Sequence, residues 1–556
     1  MTNEPQATRR RPTGLQRLAL LLSPLLLLCG VELLVRTVAP RAGERDPFLE
    51  LSKASSKFGE VEVDGVRWYQ VRHADLYADR NVAFPVEKPP NTLRIFCLGG
   101  SANAGWPHGP EQIWSRYLED ALRQSYPDRG IEVVNVGAHA YASYRVRPIL
   151  EDVVRFSPDL IVLWTGNNEF VERRSYAATA GAQRLVRAIT DTSRLFELVL
   201  SAVIERQEKE VLSGEQRDAQ DFLFAQLEQM ALELRADPSQ FRSVVDHYRF
   251  TVGAMLDAAE AHGVPTVLLT VPSNLRDWHP NVSRHGVDGE VLDAWRPAFR
   301  AGRRALLDGD AARAVVELEH AHECDPGHAE TAFLLARALE AAGGADAALR
   351  MYGKARDLDM TPFRAVSALN DVIRDLATQR GDAVTLVDVE SRLPDLAESS
   401  APGFDLFLDY VHPTRAGNLA IASMVHAAIV DRDLLDVGPP AVDGFVRPDD
   451  GYVEDRDLNL RLHVLYLLYH MHQEEAYRDE ADDLIGVLTG LGFPPDTDPL
   501  IGLLREGRDG IDRFLAEQAQ DLRGEDVPAD YETRHQEWYR QHFQRIQDVA
   551  RKARGG

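Results

Sequence analysis

The sequence predicts an α/β fold built around a parallel β-sheet with helices on both faces. Five short apolar segments alternate with segments of helical periodicity, and three of the apolar segments end in glycine-containing turns. Short apolar strands that alternate with helices are typical of parallel sheets, whose two faces are both buried. Ligands bind at the carboxyl ends of the strands in such sheets. We therefore expect the functional residues in the turns that follow the strands.

The predicted strands are separated by segments with the spacing of amphipathic helices. In chain order the strands are Leu93–Leu98, Ile131–Val136, Leu160–Trp164, Thr266–Val271 and Ala383–Val387. Apolar residues recur at helical intervals over residues 111–125 and 145–155, between the first three strands. Residues 41–90 precede them and are polar except for a strand-like patch at Trp68 and Tyr69. We interpret this segment as a linker that packs onto the main domain.

Length, composition and charge exclude several classes of protein. A chain of 556 residues predicts roughly two to four domains, and its 44% apolar and 27% charged residues exclude a disordered, collagenous or multi-spanning membrane protein. Because Asp and Glu number 87 against 62 for Lys and Arg, the net charge is −25, which argues against nucleic-acid binding. The three cysteines, Cys29, Cys97 and Cys324, are too few for a disulfide framework and are interpreted as small apolar side chains.

The N-terminal segment predicts attachment to a membrane. Arginines at positions 9, 10, 11 and 17 precede an apolar run from Leu18 to Val31, which continues past Glu32 and Arg36 to Ala39. Extended in this way the run spans about 22 residues, enough to cross a bilayer as a helix. We therefore predict an uncleaved signal anchor, with a cytoplasmic N-terminus and everything after about residue 45 in the periplasm or on the cell surface. A cleaved signal peptide and an interfacial or core helix are the alternatives.

Two helical segments interrupt the α/β pattern. Residues 180–262 are charged and mostly helical, and they either cover the site or extend the scaffold. Residues 300–362 contain an internal repeat with an offset of 34 residues, at which Ala314 aligns with Ala348. A helix-turn-helix period of this length resembles the tetratricopeptide repeat. A plain helical hairpin is the alternative.

A linker rich in proline and aspartate after residue 437 leads into four further stretches with helical periodicity. They predict an all-helical C-terminal domain without a motif that indicates chemistry. The predicted core is split into a first part at 46–299, with the insertion at about 180–262, and a second part at 363–436. The other predicted segments are a cytoplasmic tail and membrane anchor at 1–45, the repeats at 300–362 and the helical domain at 437–556.

Four turns carry residue types that act together in acyl transfer. Ser101 follows the first strand as an exposed nucleophile, and Gly137 follows the second strand with a free backbone donor for an oxyanion. Asn168, after the third strand, can donate from its side-chain amide. Asp409 and His412 lie three residues apart, so the carboxylate can hold the imidazole in the tautomer that accepts a proton from a serine. The set comprises a nucleophile, a base with its orienting acid, and three oxyanion donors, of which the N–H of Ser101 itself is one.

These turns resemble the hallmark blocks of the SGNH hydrolases, also called the GDSL lipase/esterase family. Ser101 matches the nucleophile of the family, Gly137 the glycine of its second block, and Asn168 the asparagine of its Gly-x-Asn-Asp/Glu block. Asp409 and His412 match its Asp-x-x-His block. The resemblance implies a flavodoxin-like three-layer α/β/α core and a serine esterase that works through an acyl-enzyme.

The sequence departs from the family pattern at Gly100, where the first block usually has aspartate. That aspartate is not the triad acid, so the resemblance still implies a working triad, although support of the serine turn can differ. Three further residues are candidate substrate contacts, namely Asn274, Arg276 and Arg173. We expect no cofactor and no metal, because the histidines lack a metal-ligand spacing and no phosphate-cradling or dinucleotide motif occurs.

Two functions from different classes fit these observations. The first is a membrane-anchored extracytoplasmic esterase, for which the family suggests acylated cell-envelope carbohydrate or small esters as substrates. An O-acyltransferase would use the same residues. The second is a catalytically inactive scaffold that binds a protein partner through the repeats and the C-terminal helices. The intact set of serine, asparagine, aspartate and histidine favours the enzyme over the scaffold.

Overall fold

The computed structural model describes residues 30–38, 58–71, 82–171, 192–196, 229–447, 451–454, 457–525 and 527–554. The chain divides into two compact units. One comprises Met1–Ser55 and Arg174–Gln220, and the other comprises Ser56–Arg173 and Asp221–Gly556. The sheet, the repeats and the C-terminal helices all belong to the second unit.

The predicted membrane anchor falls in the first unit, and only residues 30–38 of it are described, as a helix. The carboxylate of Glu32 accepts hydrogen bonds from the backbone N–H groups of Arg194 (2.7 Å) and Leu195 (3.0 Å). The rest of the anchor lies outside the described residues. Within the described ranges, no helix combines the length and the apolar composition needed to span a bilayer.

The predicted linker contains a small antiparallel sheet with strands β1 (Phe58–Val63), β2 (Val66–Val71) and β3 (Ala83–Pro85). The loop between the first two strands is Asp64–Gly65, with φ of +52° and +77°, which suits a two-residue hairpin loop. Tyr69 packs on Phe156 of the main domain, with 4.3 Å between ring centroids, and Phe84 packs on Phe96 at 5.2 Å. These aromatic contacts attach the small sheet to the main domain.

The main sheet is formed by the strands β4 (Thr92–Gly99), β5 (Gly130–Asn135), β6 (Leu160–Trp164), β7 (Thr266–Leu269) and β8 (Val384–Val387). They are all parallel and follow the order β5-β4-β6-β7-β8. Each strand coincides with a predicted apolar segment, so the predicted fold class is confirmed. β4 and β6 lie inside the sheet and are buried on both faces, which explains why their sequences are continuously apolar.

The helices in the described second unit are, in chain order, α1 (Ser101–Ala104), α2 (Trp114–Ser125), α3 (Ser143–Val153), α4 (Pro238–Ala261), α5 (Gly289–Leu307), α6 (Ala311–Cys324), α7 (Ala329–Ala341), α8 (Ala345–Leu358), α9 (Ser367–Arg380), α10 (Val389–Arg392), α11 (Arg415–Asp431), α12 (Leu458–His470), α13 (Glu474–Gly490), α14 (Pro499–Arg523) and α15 (Tyr531–Arg554). Around the sheet, α2 packs with α11, while α3 and α9 both pack with α4. These two groups are the outer layers of the three-layer α/β/α core.

Helix α4 is the last part of the segment predicted as an insertion at 180–262. Its buried face includes Val244, Tyr248, Val252 and Met255 and packs against α3 and α9. Since α4 covers the sheet, it is a structural helix of the core. Residues 172–191 and 197–228, which make up most of the predicted insertion, lie outside the described residues.

The predicted repeat segment forms two helical hairpins between β7 and β8. α5 pairs with α6, α7 pairs with α8, and α6 packs on α7. The aligned residues Ala314 and Ala348 are both fully buried, because small side chains let neighbouring helices approach closely. The first hairpin begins at Gly289, before the predicted boundary at residue 300. Membership of the tetratricopeptide family stays a prediction.

The C-terminal segment forms the four predicted helices, α12 to α15. Asp457 and Asp498 accept backbone N–H hydrogen bonds at the starts of α12 and α14, as helix-capping carboxylates do. α14 packs against α5, where Arg300 pairs with Asp521 (3.1 Å) and Arg303 donates to Gln518 (2.8 Å). The C-terminal helices are thus attached to the repeats.

Candidate active site

Ser101 lies at the carboxyl end of β4 and begins the short helix α1. A Cβ on Gly99 would lie 1.8 Å from the carbonyl oxygen of Trp164, so only glycine allows the strand to end this close to β6. Gly100 is the N-cap of α1 in extended conformation. The turn therefore places the serine side chain just beyond the sheet edge, where 7% of the residue remains exposed.

Ser101, His412 and Asp409 form one continuous hydrogen-bonded chain. Nε2 of His412 lies 2.8 Å from Oγ of Ser101, and Nδ1 of His412 lies 2.6 Å from Oδ2 of Asp409. In the tautomer with its proton on Nδ1, facing the carboxylate, the imidazole is able to accept the serine hydroxyl proton at Nε2. All three residues are buried.

Asp409 is held in its ionised form. Its Oδ1 accepts hydrogen bonds from the backbone N–H groups of Val411 (2.8 Å) and His412 (2.9 Å). Burial alone would raise the pKa of Asp409, but His412 and these two N–H groups outweigh burial and lower the pKa below its usual value. The carboxylate is therefore charged and aligned with the imidazole before any substrate binds.

The loop that carries Asp409 and His412 is fixed at both ends. Leu408 donates its backbone N–H to the carbonyl of His412 (2.8 Å), which closes the loop. Just beyond the loop, Asn418 accepts from the backbone N–H of Trp114 (3.1 Å) and donates to the carbonyl of Pro413 (3.2 Å). These bonds connect α11 to α2 and hold the histidine at a fixed distance from the serine turn.

The three predicted oxyanion donors differ in their hydrogen-bond acceptors. The amide of Asn168 lies over the serine turn, where one of its N–H groups donates to the carbonyl of Tyr141 (3.1 Å). The backbone N–H of Gly137 donates to Oδ1 of Asn135 (2.9 Å) and would have to be shared with an oxyanion. The N–H of Ser101 belongs to the first turn of α1, where helix geometry supplies no intrahelical acceptor.

A network of asparagines that the sequence analysis missed supports this turn. Asn135 donates from Nδ2 to the carbonyl of Asn103 (2.8 Å) and to Oγ of Ser115 (2.8 Å). The indole N–H of Trp114 donates to the same Asn103 carbonyl (2.8 Å). The asparagine directly before Val136-Gly137 was the available signal, since a polar residue at a buried strand end needs partners.

Glu169, the last residue of the Gly-x-Asn-Asp/Glu block, stabilises the fold. It is fully buried and accepts hydrogen bonds from the backbone N–H (2.7 Å) and hydroxyl (3.1 Å) of Ser143 at the start of α3. A carboxylate at a helix N-terminus is stabilised by the orphan N–H groups and the helix dipole. The block therefore combines a candidate oxyanion donor, Asn168, with an anchor for α3.

The three candidate substrate contacts lie in different surroundings. Asn274 is fully buried, and its backbone N–H donates to the carbonyl of Tyr410 (3.0 Å), next to the triad loop. Arg276 is engaged by Asp277 (2.9 Å) and by Glu340 of α7 (3.1 Å), so it connects the turn after β7 to the repeats. Arg173 lies outside the described residues.

An aromatic cluster that the sequence analysis did not identify borders the triad. The indole of Trp106 lies 4.6 Å from the ring of His412, measured between centroids. The same indole lies 3.9 Å from His463 of α12 and 5.1 Å from His139. Glu454, just before α12, accepts the backbone N–H of Arg415 (2.9 Å) at the start of α11. The C-terminal helices therefore reach the active site.

A separate cavity of about 870 Å³ lies among the repeats, the C-terminal helices and the outer side of the triad loop. Leu408 and Thr414, which flank the triad loop, contribute to its lining. Nine carboxylates and four arginines line it, so its surface is acidic. Neither Ser101 nor His412 lines this cavity, so it is distinct from the site of the triad.

Residues 97–311 match the GDSL-like lipase/acylhydrolase family. The matched range includes Ser101, Gly137 and Asn168 and ends at the start of α6, before Asp409 and His412. No curated protein matches the chain. Among solved structures, a mutant of an acetyl-xylooligosaccharide esterase from Geobacillus is similar over 61% of this chain and 93% of its own, at 12% identity and a TM-score of 0.28. Residues 97–311 therefore form a GDSL-like lipase/acylhydrolase domain, and this match supports a carboxylic ester hydrolase of the SGNH/GDSL type.

Proposed function

We propose that the protein cleaves esters through an acyl-enzyme, with Ser101 as nucleophile, His412 as general base and acid, and Asp409 as the orienting carboxylate. The observation that carries this proposal is the continuous chain of two hydrogen bonds, 2.8 Å from Ser101 to His412 and 2.6 Å from His412 to Asp409. A nucleophile, a base and an orienting acid in this order are the arrangement that activates a serine hydroxyl.

In the first half of the reaction, Oγ of Ser101 attacks the ester carbonyl as His412 takes its proton on Nε2. The tetrahedral oxyanion is stabilised by the N–H of Ser101, the amide of Asn168 and the N–H of Gly137, which exchanges its bond to Asn135 for the oxyanion. His412 then protonates the leaving alkoxide. Water, deprotonated by the same imidazole, hydrolyses the acyl-serine and restores the free hydroxyl.

A fluorophosphonate tests this assignment, because an activated serine displaces its fluoride and forms a stable phosphonyl ester. The full-length protein is compared with Ser101→Ala and with Ser273→Ala, a control serine that is also buried and follows β7. Mass spectrometry should find one adduct, on Ser101, in the wild type and in Ser273→Ala. A folded wild-type protein without that adduct would reject the triad mechanism.

For the substrate and the location, we propose an acylated carbohydrate of the cell envelope and a membrane-anchored enzyme whose catalytic unit lies outside the cytoplasm. The support is the basic, then apolar segment that ends at Ala39, together with the family analogy. The full-length protein should stay in the membrane pellet after a carbonate wash, and a variant without residues 1–39 should not. An intact mass that lacks the N-terminal segment would instead identify a cleaved signal peptide.

A second candidate is O-acyl transfer to a sugar hydroxyl. It is favoured by the burial of Ser101 and His412, which are 7% and 3% exposed, because a site that excludes water lets another alcohol resolve the acyl-enzyme. Turnover of an acetyl ester in the presence of a methyl glycoside separates the two reactions. Acetylated glycoside as the main product indicates transfer, and free acetate alone indicates hydrolysis.

A further inference from the structure

The indole of Trp106 is surrounded by three imidazoles, and the triad mechanism uses only one of them. His412, His463 and His139 lie 4.6, 3.9 and 5.1 Å from the indole, and all three rings meet it edge to face. Trp106 follows Gly105, the C-cap of α1, and its backbone N–H donates to the carbonyl of Ser101 (3.1 Å). The cluster is therefore attached to both the nucleophile and the base.

The direction of proton transfer indicates which half of the ester lies beside this cluster. The leaving alkoxide must receive its proton from Nε2 of His412, so the alcohol half of the ester has to lie against the His412 ring. Asp409 occupies the Nδ1 edge of that ring, and Trp106 packs beside it. An alcohol half that reaches Nε2 on the side of the indole would lie against Trp106, with the acyl half toward the oxyanion donors.

We propose that Trp106, His139 and His463 form the subsite for the alcohol half of the ester, and that this alcohol is a sugar. The inference rests on the proposed function, which already names an acylated carbohydrate, and adds the residues that select the sugar. The indole supplies apolar surface for the C–H groups of a sugar ring, and the two imidazoles supply hydrogen-bond donors and acceptors for hydroxyl groups.

The backbone around His139 supports a functional position for that side chain. Ala140, the next residue, has φ of +54°, a left-handed conformation that is strained for a residue with a Cβ. His139 is exposed, but partial desolvation of its ring and the proximity of His412 lower its pKa below the usual value. A neutral imidazole offers a sugar hydroxyl both a donor and an acceptor.

His463 brings the C-terminal helices into this subsite. It lies on α12, which is fixed at its start by the Asp457 cap and at its end by Gln473, whose side chain accepts the backbone N–H of His279 (3.0 Å). Arg461 on the same helix pairs with Glu480 of α13 (2.6 Å). α12 is therefore held in place beside Trp106, and a residue from outside the α/β core contributes to alcohol selection.

The test compares His463→Ala and His463→Phe with His535→Ala in the full-length protein. His535 is a matched control, because it is a buried histidine of the C-terminal helices that stacks on Phe514 at 3.8 Å. For each variant, kcat/KM is measured with an acetylated methyl glucoside and with ethyl acetate, and the ratio of the two values is the readout. Protection against fluorophosphonate labelling by methyl glucoside, compared with ethanol, is the second readout.

We expect His463→Ala and His463→Phe to lower the ratio by about tenfold, mainly through KM for the glucoside, and His535→Ala to leave it unchanged. Methyl glucoside should protect Ser101 in the wild type and protect it less in both His463 variants. An unchanged ratio, equal loss on both esters, full rescue by phenylalanine, or no protection of the wild type would each overturn the sugar subsite. Loss of Ser101 labelling in His463→Ala would also overturn it, because His463 would then be needed to assemble the nucleophile. A wild type that is never labelled contradicts the triad itself, which distinguishes the two failures.

Discussion

The two sides of the His412 ring are built from different parts of the chain. The side that faces Ser101 and Asp409 comes from turns at strand ends and a three-residue loop, all within the α/β core. The other side is bordered by Trp106, and beyond Trp106 lies His463 from the C-terminal helices. Local sequence motifs determine the first side, whereas the second depends on how distant helices pack. Under the proposed function, this difference separates the residues assigned to the chemistry from those assigned to substrate selection.

The largest effect is expected on the core side, from Asp409→Asn. The amide cannot carry the charge that stabilises the imidazolium, and it favours the wrong tautomer of His412, so kcat should fall about 10⁴-fold. The measurement is steady-state turnover of an acetyl ester, with the melting temperature recorded alongside. Asp405→Asn is the control, since Asp405 lies in the same region and caps backbone N–H groups without touching His412. Equal losses in both variants would mean that loop stability, not charge, explains the effect.

The oxyanion donor Asn168 should matter less than the triad. Its replacement by alanine removes one donor from the developing oxyanion and should lower kcat about 10²–10³-fold with little change in KM. Asn167→Ala is the neighbouring control, because Oδ1 of Asn167 accepts the backbone N–H of Ala365 (3.3 Å) and serves the fold. That control should lose stability but keep most of its kcat. A reversed pattern would assign the donor role to Asn167.

A smaller effect is expected from restoring the usual residue of the family at position 100. A Cβ there would lie 2.7 Å from Nδ2 of Asn168, so Gly100→Asp must displace that amide from its place over the serine turn. We expect kcat to fall about tenfold, which corresponds to part of the loss from removing the donor. The double variant with Asn168→Ala should be no worse than Asn168→Ala alone. Increased activity would show that this turn has room for the aspartate.

These contrasts explain how much the sequence could predict. The inner strands β4 and β6 were predictable because both of their faces are buried, which leaves a nearly continuous apolar run. We could propose Ser101, Asp409 and His412 together, because each lies in a short turn that is recognisable from the sequence. Their roles stay proposals, but the structure brings the three side chains together.

The second side of the site could not be predicted because no local pattern encodes it. His463 lies in a largely apolar helical segment, where a histidine has the same sequence signature as any partly buried helix residue. Trp106 lies in a loop without periodicity, and its neighbours are separated from it by up to several hundred residues. Likewise, the pairing of Arg276 with Glu340 depends on how the repeats pack against the core. The spacing of residues in the sequence does not reveal this packing. The packing of helices against the core determines these contacts.

The last prediction concerns a histidine far from the triad and should leave activity at neutral pH unchanged. His328, at the N-cap of α7, stacks on His285 with 4.5 Å between centroids and accepts the backbone N–H of Thr331. Burial and the neighbouring His285 lower the pKa of His328 to about 4. Asp325 and Glu330 raise this pKa, but by less. Because an unfolded histidine has a pKa of about 6.5, the unfolded state binds the extra proton first, and stability falls as the pH drops from about 6.5 to 4. His328→Asn, which keeps an acceptor for the cap, should reduce this loss by about 2 kcal/mol, measured as the difference in unfolding free energy between pH 7 and pH 4. An identical pH dependence in the variant would mean that other groups govern acid stability, and that the repeats are insensitive to the protonation of this histidine.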